Sequence, residues 1–217
     1  GTVMLPKVSR MTRMKQMDAV QRHIRLSMEL VMCMVCAMAF GLAAVAVNFA
    51  PLFYGDDFAY SGTLMMPLAF TLLSIGFANV IRTQWVLPQG CDTIFVHSVL
   101  TGAVINLIAN FVLIPPLGAM GAAAATVLAE FSVPAVQFVY LRKELPYAHY
   151  LKTTGVYCLF GLVMAGVVAL LGHVLPLHGW GKLAVQVIGG AAVYGALCLT
   201  YWKLAKRSDI FRLMRRK

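Results

Sequence analysis

Long stretches without a charged residue dominate this sequence. No Asp, Glu, Lys or Arg occurs in five runs: Leu30–Gly55, Phe58–Ile81, Thr93–Ala129, Thr153–Gly181 and Leu183–Trp202. A helix needs about 20 apolar residues to cross the hydrocarbon core of a bilayer, so each run can hold at least one membrane span. The residues are 60% hydrophobic and only 12% charged, which leaves too few charges to cover the surface of a soluble domain. The sequence therefore predicts a polytopic membrane protein.

The run Thr93–Ala129 is long enough for two spans, and Pro115, Pro116 and Gly118 lie where a turn between them is required. The predicted fold class is therefore an all-α membrane helix bundle with six transmembrane helices. The short connections predict that successive helices run antiparallel. The predicted spans are Leu30–Phe49, Thr63–Ile81, Phe95–Leu113, Ala119–Tyr140, Thr153–Leu175 and Lys182–Lys203.

The basic residues predict the orientation of these spans. All but one of the 18 Lys and Arg residues lie in the N-terminal stretch, the 82–94 and 141–152 connections or the C-terminal end, whereas the other connections hold only Lys182. The positive-inside rule predicts that both ends of the chain are cytoplasmic, in a bacterial inner membrane. Because the net charge of +10 lies in these connections, it does not indicate nucleic-acid binding. The basic stretches Lys7–Arg25 and Lys206–Lys217 are either short helices on the anionic leaflet or solvated segments.

Three stretches carry a family resemblance. Residues 3–9 read VMLPKVS and residues 52–58 read LFYGDDF, while the region 88–130 contains PQG, GAVINLIAN, LIP and LGAMGAAAATVLAE in that order. They resemble the "LPRLS" helix exit, the "LFGPEF" external turn and the "GA-x-xN-x-x-xN…LIP-x-x-G-x-x-GAA-x-AT-x-x-x-E" pattern of one transporter group. That group is the polysaccharide-flippase branch of the multidrug/oligosaccharidyl-lipid/polysaccharide exporter superfamily. The resemblance covers residues 1–145, and Asp56 replaces the usual proline of the external turn.

The resemblance implies that these spans are helices nine to fourteen of a fourteen-helix MATE-like transporter. Residues 1–26 would be the end of a preceding helix and a basic cytoplasmic loop, and residues 27–141 four helices of the C-terminal lobe. Residues 142–204 would be two additional helices, and residues 205–217 a basic cytoplasmic tail. The implied function is translocation of a polyprenyl-pyrophosphate-linked oligosaccharide for capsule, exopolysaccharide or cell-wall glycan export. The implied partners are that glycan, membrane lipids, the missing N-terminal lobe and a glycan polymerase.

Polar residues inside the spans are the candidate cavity residues, because polar groups in a bilayer usually face a cavity or a partner. Asn106 and Asn110 share one helix face, and an interhelical hydrogen bond is favoured for them over substrate contact. Arg82 lies near the cytoplasmic end of the second span, with Asn79 before it and Gln84 just beyond. Its guanidinium either extends to the inner interface or contacts an anionic headgroup.

Two acidic residues, Glu130 and Glu29, lie in or beside the predicted spans. Glu130 is predicted to be the most buried acid, midway along the fourth span, where it is either a structural partner or a cavity residue coupled to ions. Glu29 is predicted to lie at a helix start, where the positive end of the helix dipole stabilises an acid.

No nucleophile–base pair, Walker loop or metal cluster occurs in the sequence, so no catalytic residue, cofactor or metal is predicted. The CxxC spacing of Cys33 and Cys36 is interpreted as two small apolar residues. Two alternative functions stay open. A cation-coupled multidrug exporter of the same superfamily would need a membrane-buried carboxylate, for which Glu130 is the candidate. A membrane-embedded glycan-assembly enzyme is disfavoured, because the external loops are short.

Overall fold

The computed structural model describes residues 17–174, 176 and 178–205. Within them, six helical stretches are long and apolar enough to cross a membrane, which confirms the predicted all-α fold with six spans. A π-helical turn, Arg82–Val86, continues the third helix. The α-helices are α1 (Met17–Tyr54), α2 (Ala59–Ala69), α3 (Thr71–Ile81), α4 (Asp92–Leu117), α5 (Ala119–Leu141), α6 (Tyr147–Val174) and α7 (Gly179–Leu204). The second span, Asp56–Val86, contains α2, α3 and the π-helical turn.

The first helix begins at Met17 rather than at the predicted Leu30. Val20, Ile24 and Met28 explain the difference, since their four-residue spacing puts them on one helix face and all three are buried in the bundle. The 38 residues of α1 extend about 57 Å, so this helix projects beyond a hydrocarbon core of about 30 Å. The motif VMLPKVS, the earlier part of the N-terminal basic stretch and the basic tail 206–217 lie outside the described residues.

Helix α1 is the centre of the bundle, where it packs against α2, α3, α6 and α7. Helix α4 packs mainly on α5, and α5 in turn packs on α3 and α2. Helix α4 buries only Ser98 and Gly102, so most of its surface faces away from the other described helices. The arrangement leaves α3, α4 and α5 around a common space at one side of the bundle.

The turn between α4 and α5 falls at Gly118, whereas the Pro115-Pro116 pair lies inside the last turn of α4. Gly118 has a φ of +56°, a conformation that glycine adopts readily because it has no Cβ. At Gly121, one turn into α5, an added Cβ would lie 2.1 Å from the carbonyl oxygen of Leu113. Glycine therefore allows the two helices to meet backbone to backbone directly after the turn.

The most buried acid among the described residues is Glu29, which is 2% exposed, and not Glu130, which is half-buried. Glu29 lies three turns into α1, too far from the helix start for the predicted dipole interaction, which acts within the first turn. Instead the Tyr157 hydroxyl of α6 donates to Glu29 Oε1 at 3.2 Å, and Trp202 Nε1 of α7 donates to the Tyr157 oxygen at 2.8 Å. These bonds join three helices and give Glu29 a structural role.

Candidate functional site

A cavity of about 550 Å³ lies between α3, α4 and α5. Its wall is mostly apolar, and the polar side chains are contributed by all three helices and by the π-helical turn. These polar residues are Asn79, Arg82, Asn106, Thr126, Glu130 and Gln137. Four of the six predicted site residues, Asn79, Arg82, Asn106 and Glu130, therefore meet in one space.

Arg82 is the cation of this cavity, and two neighbours fix its guanidinium. Arg82 Nη2 donates to Asn79 Oδ1 at 2.7 Å, and its Cζ lies 5.0 Å from the centre of the Phe95 ring. A guanidinium over an aromatic face is stabilised by the ring quadrupole. The buried Nε of Arg82 has no hydrogen-bond partner among the described residues, so one donor of this cation remains available for an acceptor.

Asn106 lines the cavity, whereas Asn110 lies one turn further along α4 and donates from Nδ2 to Asn106 Oδ1 at 3.0 Å. The interhelical hydrogen bond favoured for this pair is therefore not what the structure shows. Amides four residues apart on one helix are close enough to bond to each other.

Gln84 does not line the cavity. It is 6% exposed and lies within the π-helical turn, two residues after Arg82. Side chains two positions apart in a helical turn do not face the same direction. The proximity of Gln84 to Arg82 in sequence therefore does not place it in the site.

Gln137 and Thr126 are cavity residues that were absent from the predicted site. Gln137 is 1% exposed, and its Oε1 has no hydrogen-bond partner among the described residues. Seven residues separate Gln137 from Glu130, which places both on one face of α5. That spacing was a signal for Gln137 in the sequence. Thr126 carries no charge that would distinguish it in the sequence as a cavity residue.

The residues 1–189 match the family model described as lipid II flippase MurJ. The chain belongs to the MurJ family. The flippase superfamily predicted from the motifs is thereby confirmed, and so is a multi-pass protein of the inner membrane. The MurJ match does not support the polysaccharide branch to which those motifs were compared.

A solved structure named "Lipid II flippase MurJ, inward closed conformation" has the same fold as this chain. The two align with a TM-score of 0.75 and 18% identity over 93% of this chain. The alignment takes in 42% of the MurJ chain, so the present chain spans less than half of that length. No curated protein matches this chain.

Proposed function

We propose that this chain is the C-terminal part of a transporter that moves lipid II, a polyprenyl-pyrophosphate-linked glycan, from the inner to the outer leaflet. The membership in the MurJ family and the cavity between α3, α4 and α5 support this proposal. The observation that carries it is Arg82, a cation that lines the cavity between three membrane-spanning helices and whose buried Nε has no hydrogen-bond partner among the described residues. The predicted export of capsule or exopolysaccharide precursors is not part of the proposal.

The chemistry of the substrate matches the cavity residues. A pyrophosphate needs cationic donors, and a guanidinium offers several N–H groups in a planar fork that suits phosphate oxygens. Sugar hydroxyls and amides need both acceptors and donors, which Glu130, Asn106 and Gln137 supply on the other two walls. A charge in a cavity of low dielectric interacts more strongly than the same charge in water.

One lobe cannot shield a glycan on all sides. A transporter built from two repeats encloses its substrate near the midplane of the membrane, between the repeats. We therefore infer that the opposite wall comes from an N-terminal lobe of the same protein. The basic connections then lie on the cytoplasmic side, with both ends of this chain facing the cytoplasm.

The experiment uses the full-length transporter in proteoliposomes and measures translocation of fluorescent lipid II. Arg82→Ala should lower the rate by about tenfold or more, the scale of a lost hydrogen bond to a charged group. Arg82→Lys keeps the charge without the planar fork and should transport at a rate between those of the wild type and Arg82→Ala. Arg142→Ala, at an exposed position of the α5–α6 connection, is the matched control and should transport at the wild-type rate. An unchanged rate for Arg82→Ala would remove this residue from the site, and a wild-type protein that moves no lipid II would refute the function.

A cation-coupled drug exporter is the second candidate, because Glu130 lines the cavity. Such an exporter would extrude cationic drugs, and Glu130→Gln would abolish the extrusion. We propose no covalent step for either transporter. Lipid II transport by wild type and by Glu130→Gln, without drug transport by either, would exclude the exporter.

A further inference from the structure

Helix α5 contains Pro134 in its interior. Proline has no backbone N–H, so the carbonyl of the residue four positions earlier loses its helical donor, and here that carbonyl belongs to Glu130. The hydrocarbon of a bilayer offers no donor in its place, and an unsatisfied carbonyl there is costly. Another donor must therefore serve the Glu130 carbonyl.

That donor is Ser74 of α3, whose hydroxyl donates to the Glu130 backbone oxygen. Ser74 is 2% exposed, so its hydroxyl is buried at the contact between the two helices. Ser132, inside α5, donates to the Ala129 carbonyl at 2.6 Å. Two serine hydroxyls thus serve the turn that precedes Pro134, one within α5 and one from a neighbouring helix.

Helix α4 also contacts this turn. A Cβ added at Gly102 would lie 3.1 Å from Val133 Cγ2 and 3.4 Å from the Ala129 carbonyl oxygen, so α4 packs closely here. The turn of α5 before Pro134 is therefore fixed between Ser74 on one helix and Gly102 on another. Proline commonly kinks a helix, and these two contacts lie where neighbouring helices can orient a kink of α5.

The cavity residues of α5 lie on both sides of this turn. Thr126 and Glu130 precede Pro134, and Gln137 follows it. A change in the kink would therefore move Gln137 relative to Glu130 and Thr126. We propose that Ser74 is a positioning residue of the cavity: it bonds the carbonyl that Pro134 leaves without a donor, and thereby fixes the kink that sets the separation of Glu130 and Gln137. The consequence for transport rests on the proposed function, whereas the kink itself does not.

This role has a signature that a general packing role lacks. Ser74 is needed only while residue 134 has no N–H. In Pro134→Ala the new N–H can donate to the Glu130 carbonyl as in any helix. The Ser74 hydroxyl then becomes dispensable, so the effects of the two substitutions must depend on each other.

The test compares Ser74→Ala, Ser74→Thr, Pro134→Ala and the double variant Ser74→Ala/Pro134→Ala in the full-length transporter. Spin labels at the exposed positions Ala119 and Val139, in a background without native cysteines, lie about 30 Å apart along α5. Ser74→Ala should broaden or shift the distance distribution. Ser74→Thr retains the hydroxyl and should keep the wild-type distribution, and the double variant should match Pro134→Ala alone.

Lipid II translocation is measured on the same variants at equal amounts of folded protein. In the protein that retains Pro134, Ser74→Ala should lower the rate by roughly 5- to 30-fold, the scale of one unsatisfied buried acceptor. In the protein that already carries Pro134→Ala, the same substitution should leave the rate unchanged. Ser132→Ala, which removes only the bond within α5, is the control and should keep the wild-type distance distribution. Should Ser74→Ala not fold, Pro134→Ala against the double variant still measures whether Ser74 matters once residue 134 carries an N–H.

A wild-type distance distribution in Ser74→Ala, or a Ser74→Ala defect of equal size with and without Pro134→Ala, would overturn the role of Ser74. The distance is independent of substrate. A wild-type protein that moves no lipid II would therefore refute the proposed function, while the distance alone would still decide whether Ser74 fixes the kink.

Discussion

The close approach of α4 and α5 at Gly121 predicts a large effect of the smallest possible substitution. In Gly121→Ala the new Cβ would lie 2.1 Å from the Leu113 carbonyl oxygen and 2.5 Å from its carbonyl carbon. Both atoms belong to the backbone, so no side chain can rotate away. The two helices must separate by about 1 Å or more to reach ordinary van der Waals contact, about 3.5 Å.

The size of the effect follows from two opposing contributions. Overpacking a well-packed contact costs up to about 3 kcal/mol, and replacing glycine by alanine within a helix recovers about 1 kcal/mol. The net loss in Gly121→Ala is therefore about 2 kcal/mol. For a chain of this size that corresponds to a decrease in Tm of roughly 4 to 8 °C, and for the longer full-length protein the expected decrease is smaller.

The assay is thermal unfolding of the full-length protein in detergent, followed by the fluorescence of the folded fraction after size-exclusion chromatography. Gly166→Ala is the matched control, because an added Cβ there meets no atom within 4 Å. It should leave Tm unchanged or raise it slightly through helix propensity. Equal Tm values for the two variants would refute the backbone-to-backbone contact between α4 and α5.

Three further predictions test other parts of the molecule. Tyr157→Phe removes the donor to Glu29 and should lower the free energy of unfolding by about 1 to 3 kcal/mol, whereas Tyr201→Phe should lower it little. Equal Tm values for these two variants would contradict the buried network of Glu29, Tyr157 and Trp202. The sulfurs of Cys33 and Cys198 lie 3.6 Å apart, so a thiol oxidant should form a disulfide between them, which mass spectrometry detects as a linked peptide pair. The absence of this pair after oxidation would contradict the packing of α1 on α7. A green fluorescent protein fused to the C-terminal end should fluoresce and an alkaline phosphatase fusion should be inactive; the reverse result would invert the proposed orientation.

The sequence predicts the number of spans because the lipid environment excludes charge from each of them. It does not predict where α1 begins, since Arg22 and Arg25 interrupt the apolar positions Val20, Ile24 and Met28 that the bundle buries. Hydropathy reports the contact with lipid, whereas the start of this helix is determined by contact with other helices.

The depth of individual polar residues is also set by packing. Glu130 follows an uncharged run directly and lies midway along its span, and yet it is half-buried, because its side of α5 faces the cavity. Glu29 precedes a run and yet is almost fully buried, because α6 and α7 supply Tyr157 and Trp202 to cover it. Position within a run measures depth in the membrane, and a single sequence does not show which helices surround that position.

Spacing along one helix accounts for part of the site, and contacts between helices account for the rest. Asn79 and Arg82, three residues apart, do bond to each other, and Gln137 could have been found from its spacing to Glu130. The exclusion of Gln84 also follows from spacing, since a side chain two positions after Arg82 faces a different direction in a helix. The bond of Ser74 to the Glu130 carbonyl joins residues 56 positions apart and requires the packing of α3 on α5.

The central claim is that the intact protein moves lipid II across the cytoplasmic membrane. The most direct measurement determines, in cells depleted of the intact protein, in which leaflet the lipid-linked glycan accumulates. We expect lipid II to accumulate in the inner leaflet, where an externally added enzyme that cleaves it has no access. Unchanged amounts of lipid-linked glycan, together with a new sensitivity to cationic drugs, would contradict the flippase and point to a drug exporter.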